Sequence, residues 1–227
     1  MPKKKKQKKE SEGNMLGAAI VGVVVAIFGM FLGIGTLALE DVKEVRDMPA
    51  EDKITPDTVY YVIGKDKGSA YKGDEQAFLD GKVGIIRMTE EELNDWAGDN
   101  FKFGRPKPGE EQGGFITLRP STPNFRIQEG VLQVGMSVEV IAFGKNYKVR
   151  YQAKGNQFID DGLGFVFKPD IAYLGSAQLP PVVVSGSLAD MLFQVFEQSE
   201  QYAKFNEAWR GLSNVAVEGN ELVLVRE

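Results

Sequence analysis

From Met15 to Leu39 the chain reads MLGAAIVGVVVAIFGMFLGIGTLAL, an unbroken apolar run in which Thr36 is the single polar side chain. A helix rising 1.5 Å per residue over these positions spans about 38 Å, more than the hydrocarbon core of a bilayer. The run predicts one transmembrane helix over 15–39. Small residues recur along it at helical spacing, at Gly22, Ala26, Gly29 and Gly33, and the last two form a G-x-x-x-G pair. Such a face lets two backbones approach closely, so it is the candidate contact for a second copy or an envelope partner. Glycine is also common in spans that make no such contact.

Beyond the span the pattern changes. Residues 40–57 are dense in charge, carry Pro49 and Pro56, show little apolar periodicity and read as a linker. Residues 58–227 then have the length and patterning of one α+β domain. Strands are predicted at 58–64 and 83–88. Thr89 with Glu92 forms a capping box, and Leu93, Trp96 and Ala97 give the following helix its buried stripe. Prolines and glycines make 104–124 a long loop, with at most a short edge strand at 115–118. Phe125 and Ile127, the even positions from Leu132 to Val140, and the odd positions from Tyr147 to Ala153 alternate apolar with polar. That period of two means antiparallel strands with one packed face and one wet face. Turns fall at 129–130, 144–146, 155–156 and 160–162, and apolar strands at 163–167 and 171–174. Leu188, Met191, Leu192, Val195 and Phe196 complete an amphipathic helical template that continues through Tyr202, Phe205 and Trp209 to Gly211. A last hairpin joins 215–217 to 222–225.

Charge fixes a direction for the span. Residues 1–14 hold six lysines against Glu10 and Glu12, a balance of +4 within a chain of net −5, which leaves −9 on the rest. A basic head beside an apolar span places the N-terminal tail in the cytoplasm and the domain across the membrane. A cleaved signal peptide shares the basic head, and Thr36-Leu37-Ala38 fits a cleavage site. The apolar run, however, is far longer than the 7–15 residues of a signal core, which favours an uncleaved anchor. The acidic remainder argues against nucleic acid as a partner.

The chain has no Cys and no His. This excludes disulfides, thiol nucleophiles, zinc and iron–sulfur sites built on Cys, and every imidazole-based triad. Gly68 and Gly73 have P-loop spacing, but Asp74-Glu75 stand where the phosphate-binding Lys-Ser/Thr is required. Asp160-Asp161-Gly162 lacks the ligand spacing of a calcium loop and reads as a turn. No catalytic, cofactor or metal residues emerge, and a non-enzymatic protein is expected. Phe193, Phe196, Tyr202, Phe205 and Trp209 form an aromatic run on the second helix that either lines an apolar ligand cavity or fills a core. None of the nine Asn begins an N-x-Ser/Thr sequon, in keeping with a bacterial envelope.

The strand leading into Thr-Glu-Glu-Glu-Leu-Asn at 89–94, the β-meander, the 174–180 run before an amphipathic helix, and the closing hairpin with Gly219-Asn220 resemble membrane-anchored, YpmS-type and related lipid-binding-like envelope domains. The resemblance implies a curved antiparallel sheet packed on two helices, no catalytic residues, and lipid as a ligand of some relatives. The expectation is therefore a single-pass protein of the cytoplasmic (inner) membrane: tail 1–14, helix 15–39, linker 40–57 and extracytoplasmic domain 58–227. Its expected role is to bind lipid or another apolar ligand without cofactors. The alternative is a scaffold or assembly component of a membrane complex.

Overall fold

The computed structural model describes residues 33, 35–40, 42–66, 71–101, 116–142, 144–180 and 200–227. Most of the expected 15–39 span, the 104–115 loop and the 188–196 apolar stripe lie outside them. Residues 35–38, the end of that span, are helical. No helix among the described residues is long and apolar enough to cross a membrane.

The domain is α+β with mostly antiparallel sheets. Thirteen strands are described: β1 (Lys43–Val45), β2 (Tyr60–Val62), β3 (Gly84–Thr89), β4 (Ile116–Pro120), β5 (Asn124–Gln128), β6 (Val131–Ala142), β7 (Lys145–Gly155), β8 (Gln157–Asp160), β9 (Phe165–Lys168), β10 (Ile171–Leu174), β11 (Ala177–Gln178), β12 (Asn214–Glu218) and β13 (Glu221–Arg226). The helices are α1 (Lys72–Leu79), α2 (Glu90–Asn100) and α3 (Glu200–Arg210). Instead of the single curved sheet on two helices, the described residues form four sheets and three α-helices, besides the helical stretch at 35–38 and one turn of 3-10 helix. The six-stranded sheet runs β11-β10-β7-β6-β4, with β5 also on β6, and the three-stranded sheet runs β12-β13-β3.

The central meander follows the alternation closely. Glu129 and Gly130 take φ of 53° and 77°, as a two-residue turn between antiparallel strands requires. Val134 then faces Ala153, Met136 faces Tyr151 and Val138 faces Val149 across β6 and β7. All six are buried and share one face. β4 and β5 pair with successive halves of the same β6 edge, interrupted at 121–123, where Pro123 cannot donate to the ladder. The closing hairpin β12–β13 pairs with β3, and its turn meets the 129–130 turn through Gly130 N to Gly219 O at 2.8 Å.

Residues 40–57, read from the sequence as a linker, contribute β1 and one turn of 3-10 helix to the domain. β1 pairs in parallel with β2, Glu44 binds Arg150, and Tyr61 packs over Gly135. Charged residues conceal this strand in the sequence because its partner, not its own periodicity, defines it. A fragment 40–227 should therefore be more stable than 58–227 by about 2 kcal/mol, the net worth of the few backbone hydrogen bonds lost. Urea unfolding of the two fragments checks this.

α2 starts as the sequence requires. Thr89 Oγ1 accepts from Glu92 N at 3.3 Å, and Thr89 N donates to Glu92 Oε2 at 2.8 Å, closing the capping box. Glu90 and Asn94, one turn apart on α2, are both 7% exposed. Asn94 Oδ1 accepts from Phe125 N at 2.7 Å, and its Nδ2 donates to Phe125 O and Lys65 O, each at 2.8 Å. Glu90 accepts from Ile127 N at 3.0 Å and Lys65 N at 2.6 Å. Two side chains thus stand in for a neighbouring strand along the free edge of β5, which otherwise would leave these backbone groups unsatisfied in a buried place.

Candidate functional site

The main cluster of apolar side chains forms where the two larger sheets meet the three helices. β6 supplies Leu132 and Val134, β13 supplies Leu222 and Leu224, and Met88, Leu93, Phe78 and Ala208 face them. Their spacing explains the arrangement. Leu93 and Trp96 lie on one face of α2, and Tyr202, Phe205 and Trp209 lie on one face of α3, as their i, i+3, i+7 positions demand.

Between these walls lies a cavity of about 940 Å³, open to solvent on part of its surface. Phe205 is the centre of its aromatic lining, with ring centroids 5.3 Å from Phe78, 5.3 Å from Trp96 and 5.6 Å from Trp209. Tyr151 and Ala153 of β7 form the sheet side. The β8–β9 hairpin closes another side with Phe158, Phe165 and Phe167, the first and last paired across the strands with rings 5.4 Å apart.

The charged lining residues among those described come from the start of α1, the end of α2 and the start of α3. Lys72, Asp74, Glu75, Asp99 and Lys204 stand there. Tyr71 is buried and donates to Asp99, while Asn100 Nδ2 donates to Glu75 Oε1 at 3.1 Å. Burial, then the Asp99 carboxylate, pushes the Tyr71 hydroxyl far above the ordinary tyrosine range, so it stays a neutral donor. Burial also raises Tyr151 on the wall. The interior is electrically neutral, aromatic and aliphatic. Among the described residues its lining suits an apolar chain or ring system.

Of the aromatic run expected to line a cavity, Tyr202, Phe205 and Trp209 do so, while Phe193 and Phe196 lie outside the described residues. Gly22, Ala26 and Gly29 also lie outside them. Gly33 is exposed, and a side chain there would meet nothing within 4 Å. Sequence reasoning missed Tyr71, Phe78, Phe101 and the three hairpin phenylalanines. The signal at Phe165-Val166-Phe167 was present, since the two phenylalanines alternate with an exposed valine on a two-faced strand.

The hairpin is fastened at both ends. Gly155 packs so tightly on Pro169 and Asp170 that a side chain there would come within 2.9 Å of each. Near the tip, Trp209 Nε1 donates to Phe165 O at 2.8 Å. Trp209→Phe keeps the aromatic wall and removes this bond. It should cost about 1 kcal/mol globally and speed amide hydrogen exchange over 157–168 more than elsewhere, which mass-detected exchange resolves.

Comparison with known proteins gives no matching family model and no matching curated protein. The class that fold and site define is thus an α+β domain built around an apolar cavity, and function is argued from that cavity itself.

Proposed function

We propose that the protein is a single-pass, N-terminally anchored membrane protein of the cell envelope whose extracytoplasmic domain binds the acyl chain of a lipid, or a similarly apolar ligand, without catalysing a reaction. The observation that carries this reading is the cavity of about 940 Å³ walled mostly by aromatic and aliphatic side chains, its described charged residues drawn from three helix ends. Its size falls in the range of ligand pockets. The apolar run at 15–39 and the lysines before it support the anchor and its orientation.

The experiment is a titration with N-phenyl-1-naphthylamine, whose emission rises in apolar surroundings, followed by displacement with a long-chain fatty acid. Saturable binding of one probe per chain, displaced by the fatty acid, is the expected result. Absence of saturable binding contradicts it.

One feature favours scaffolding as the second reading. On the outer face of the β8–β9 hairpin, Ile159, Leu163 and Val166 are 45%, 65% and 51% exposed. A contiguous apolar patch of this kind suits a protein contact. Val166 also borders the cavity, so exchanging Ile159 and Leu163 alone for Ser should leave probe binding intact and abolish any partner contact made through this face, as measured by co-purification.

A further inference from the structure

The end of the expected membrane helix does not leave the domain through a loose tether. Ala38 is 7% exposed and packs on Val149 and Ala177, while Leu37 and Leu39 beside it are 42% and 51% exposed. Leu37 O accepts from Ser176 N at 3.0 Å, in the turn between β10 and β11. Gly175 in that turn has φ of 58° and lies directly against the Ala38 carbonyl. The helix end is therefore docked on the six-stranded sheet, with its flanking leucines turned outward where the bilayer interface would cover them.

The face on which Ala38 sits is the face that walls the cavity. Val149, Tyr151 and Ala153 alternate along β7 and point the same way. Ala38 meets the first, and the cavity begins at the second, about 7 Å further along the strand. The apolar clusters along this face share members. Val140 and Leu174 pack both on the Ala38 group and on the Met136–Tyr151 group, and Phe167 packs on the latter and on the cavity core. None of these side chains is charged. An acyl chain passing through water exposes every methylene at a cost that grows with its length, and the helix end sits on the same sheet face as the cavity wall, one step of the β7 alternation from Tyr151.

We propose that the cavity takes its ligand, the acyl chain of a bilayer lipid, directly from the membrane around its own anchor and not from the aqueous phase. The proposal rests on the reading of the cavity as a ligand site and of 15–39 as the anchor. Docking of Ala38 against Gly175 holds the loading end of the sheet face at the membrane surface.

The two tryptophans of the chain, Trp96 and Trp209, both line the cavity and so report its contents. The full chain is placed in vesicles of phosphatidylethanolamine and phosphatidylglycerol whose acyl chains carry bromine near the terminal methyl. Bromine quenches indole only near contact, and these atoms stay at the bilayer midplane unless a chain has left it. Separately, a brominated fatty acid is added from water to the chain in unlabelled vesicles. The expected result is about a twofold loss of emission with the brominated bilayer, an occupied cavity holding a chain against both indoles. Quenching by the aqueous fatty acid alone overturns loading from the bilayer and leaves the cavity reading intact. Quenching by neither overturns both. Gly175→Ala forces Ala38 off the turn and should slow bilayer quenching at least severalfold. Gly219→Ala, at φ of 61° with open space around it, carries the same backbone strain without the clash and should not. Equal rates for the two variants would refute the role of docking.

Discussion

Asn94→Asp lowers the stability of the domain by about 3–5 kcal/mol at neutral pH, because it leaves the shape unchanged and reverses the hydrogen bonding. The native amide donates to Phe125 O and Lys65 O at 2.8 Å each and accepts from Phe125 N at 2.7 Å. A carboxylate retains the acceptor role alone. It sets negative charge against two partly buried carbonyls that have no alternative donor from that side chain. The same repulsion holds the new carboxyl above the ordinary Asp range, so the folded state binds the proton more tightly than the unfolded state. Stability of this variant therefore falls as pH rises above about 4, the ordinary Asp value, and recovers partly below it. Urea unfolding of fragment 40–227 at pH 4 and pH 7 measures both effects. A variant as stable as the parent would mean that the β5 edge finds other partners.

The second large effect separates a hollow site from a filled one. Ala153 is 2% exposed, faces Val134 across the sheet and lies on the cavity wall. Ala153→Phe adds a phenyl group on that wall. In a filled core such an insertion costs about 1–3 kcal/mol or more. Projected into a cavity of about 940 Å³, it should instead leave stability within about 1 kcal/mol and reduce ligand affinity at least tenfold, since a ring occupies the space the ligand needs. Unfolding and probe titration on the same preparation give both readings. Strong destabilisation with unchanged binding would reverse the interpretation.

What the sequence made legible is what local pattern determines. Strict alternation located β5, β6 and β7, the Glu129-Gly130 pair located their turn, and the Thr89–Glu92 box located the start of α2. The helical spacing of Tyr202, Phe205 and Trp209 placed three cavity side chains on one face of α3. Other elements depend on distant partners and left weak traces. α1 carries a glycine at its second position and just two large apolar side chains, Phe78 and Leu79, so its helicity rests on packing against α3 and β3. The 157–168 hairpin shows in the sequence as a single strand from 163 to 167, because the four residues of β8 are too short a run to establish a period. Glu90 and Asn94 look like solvated helix positions until the edge of β5 arrives to need them. The cavity combines walls from segments more than 100 residues apart, which no local signal can announce.

The most direct test of the central claim is mass spectrometry of fragment 40–227, expressed in bacteria and purified without detergent. The account predicts one acyl-chain lipid per protein molecule under native conditions, released by solvent extraction and absent from Ala153→Phe. A parent fragment that carries no lipid, and takes up none when incubated with vesicles, would contradict it.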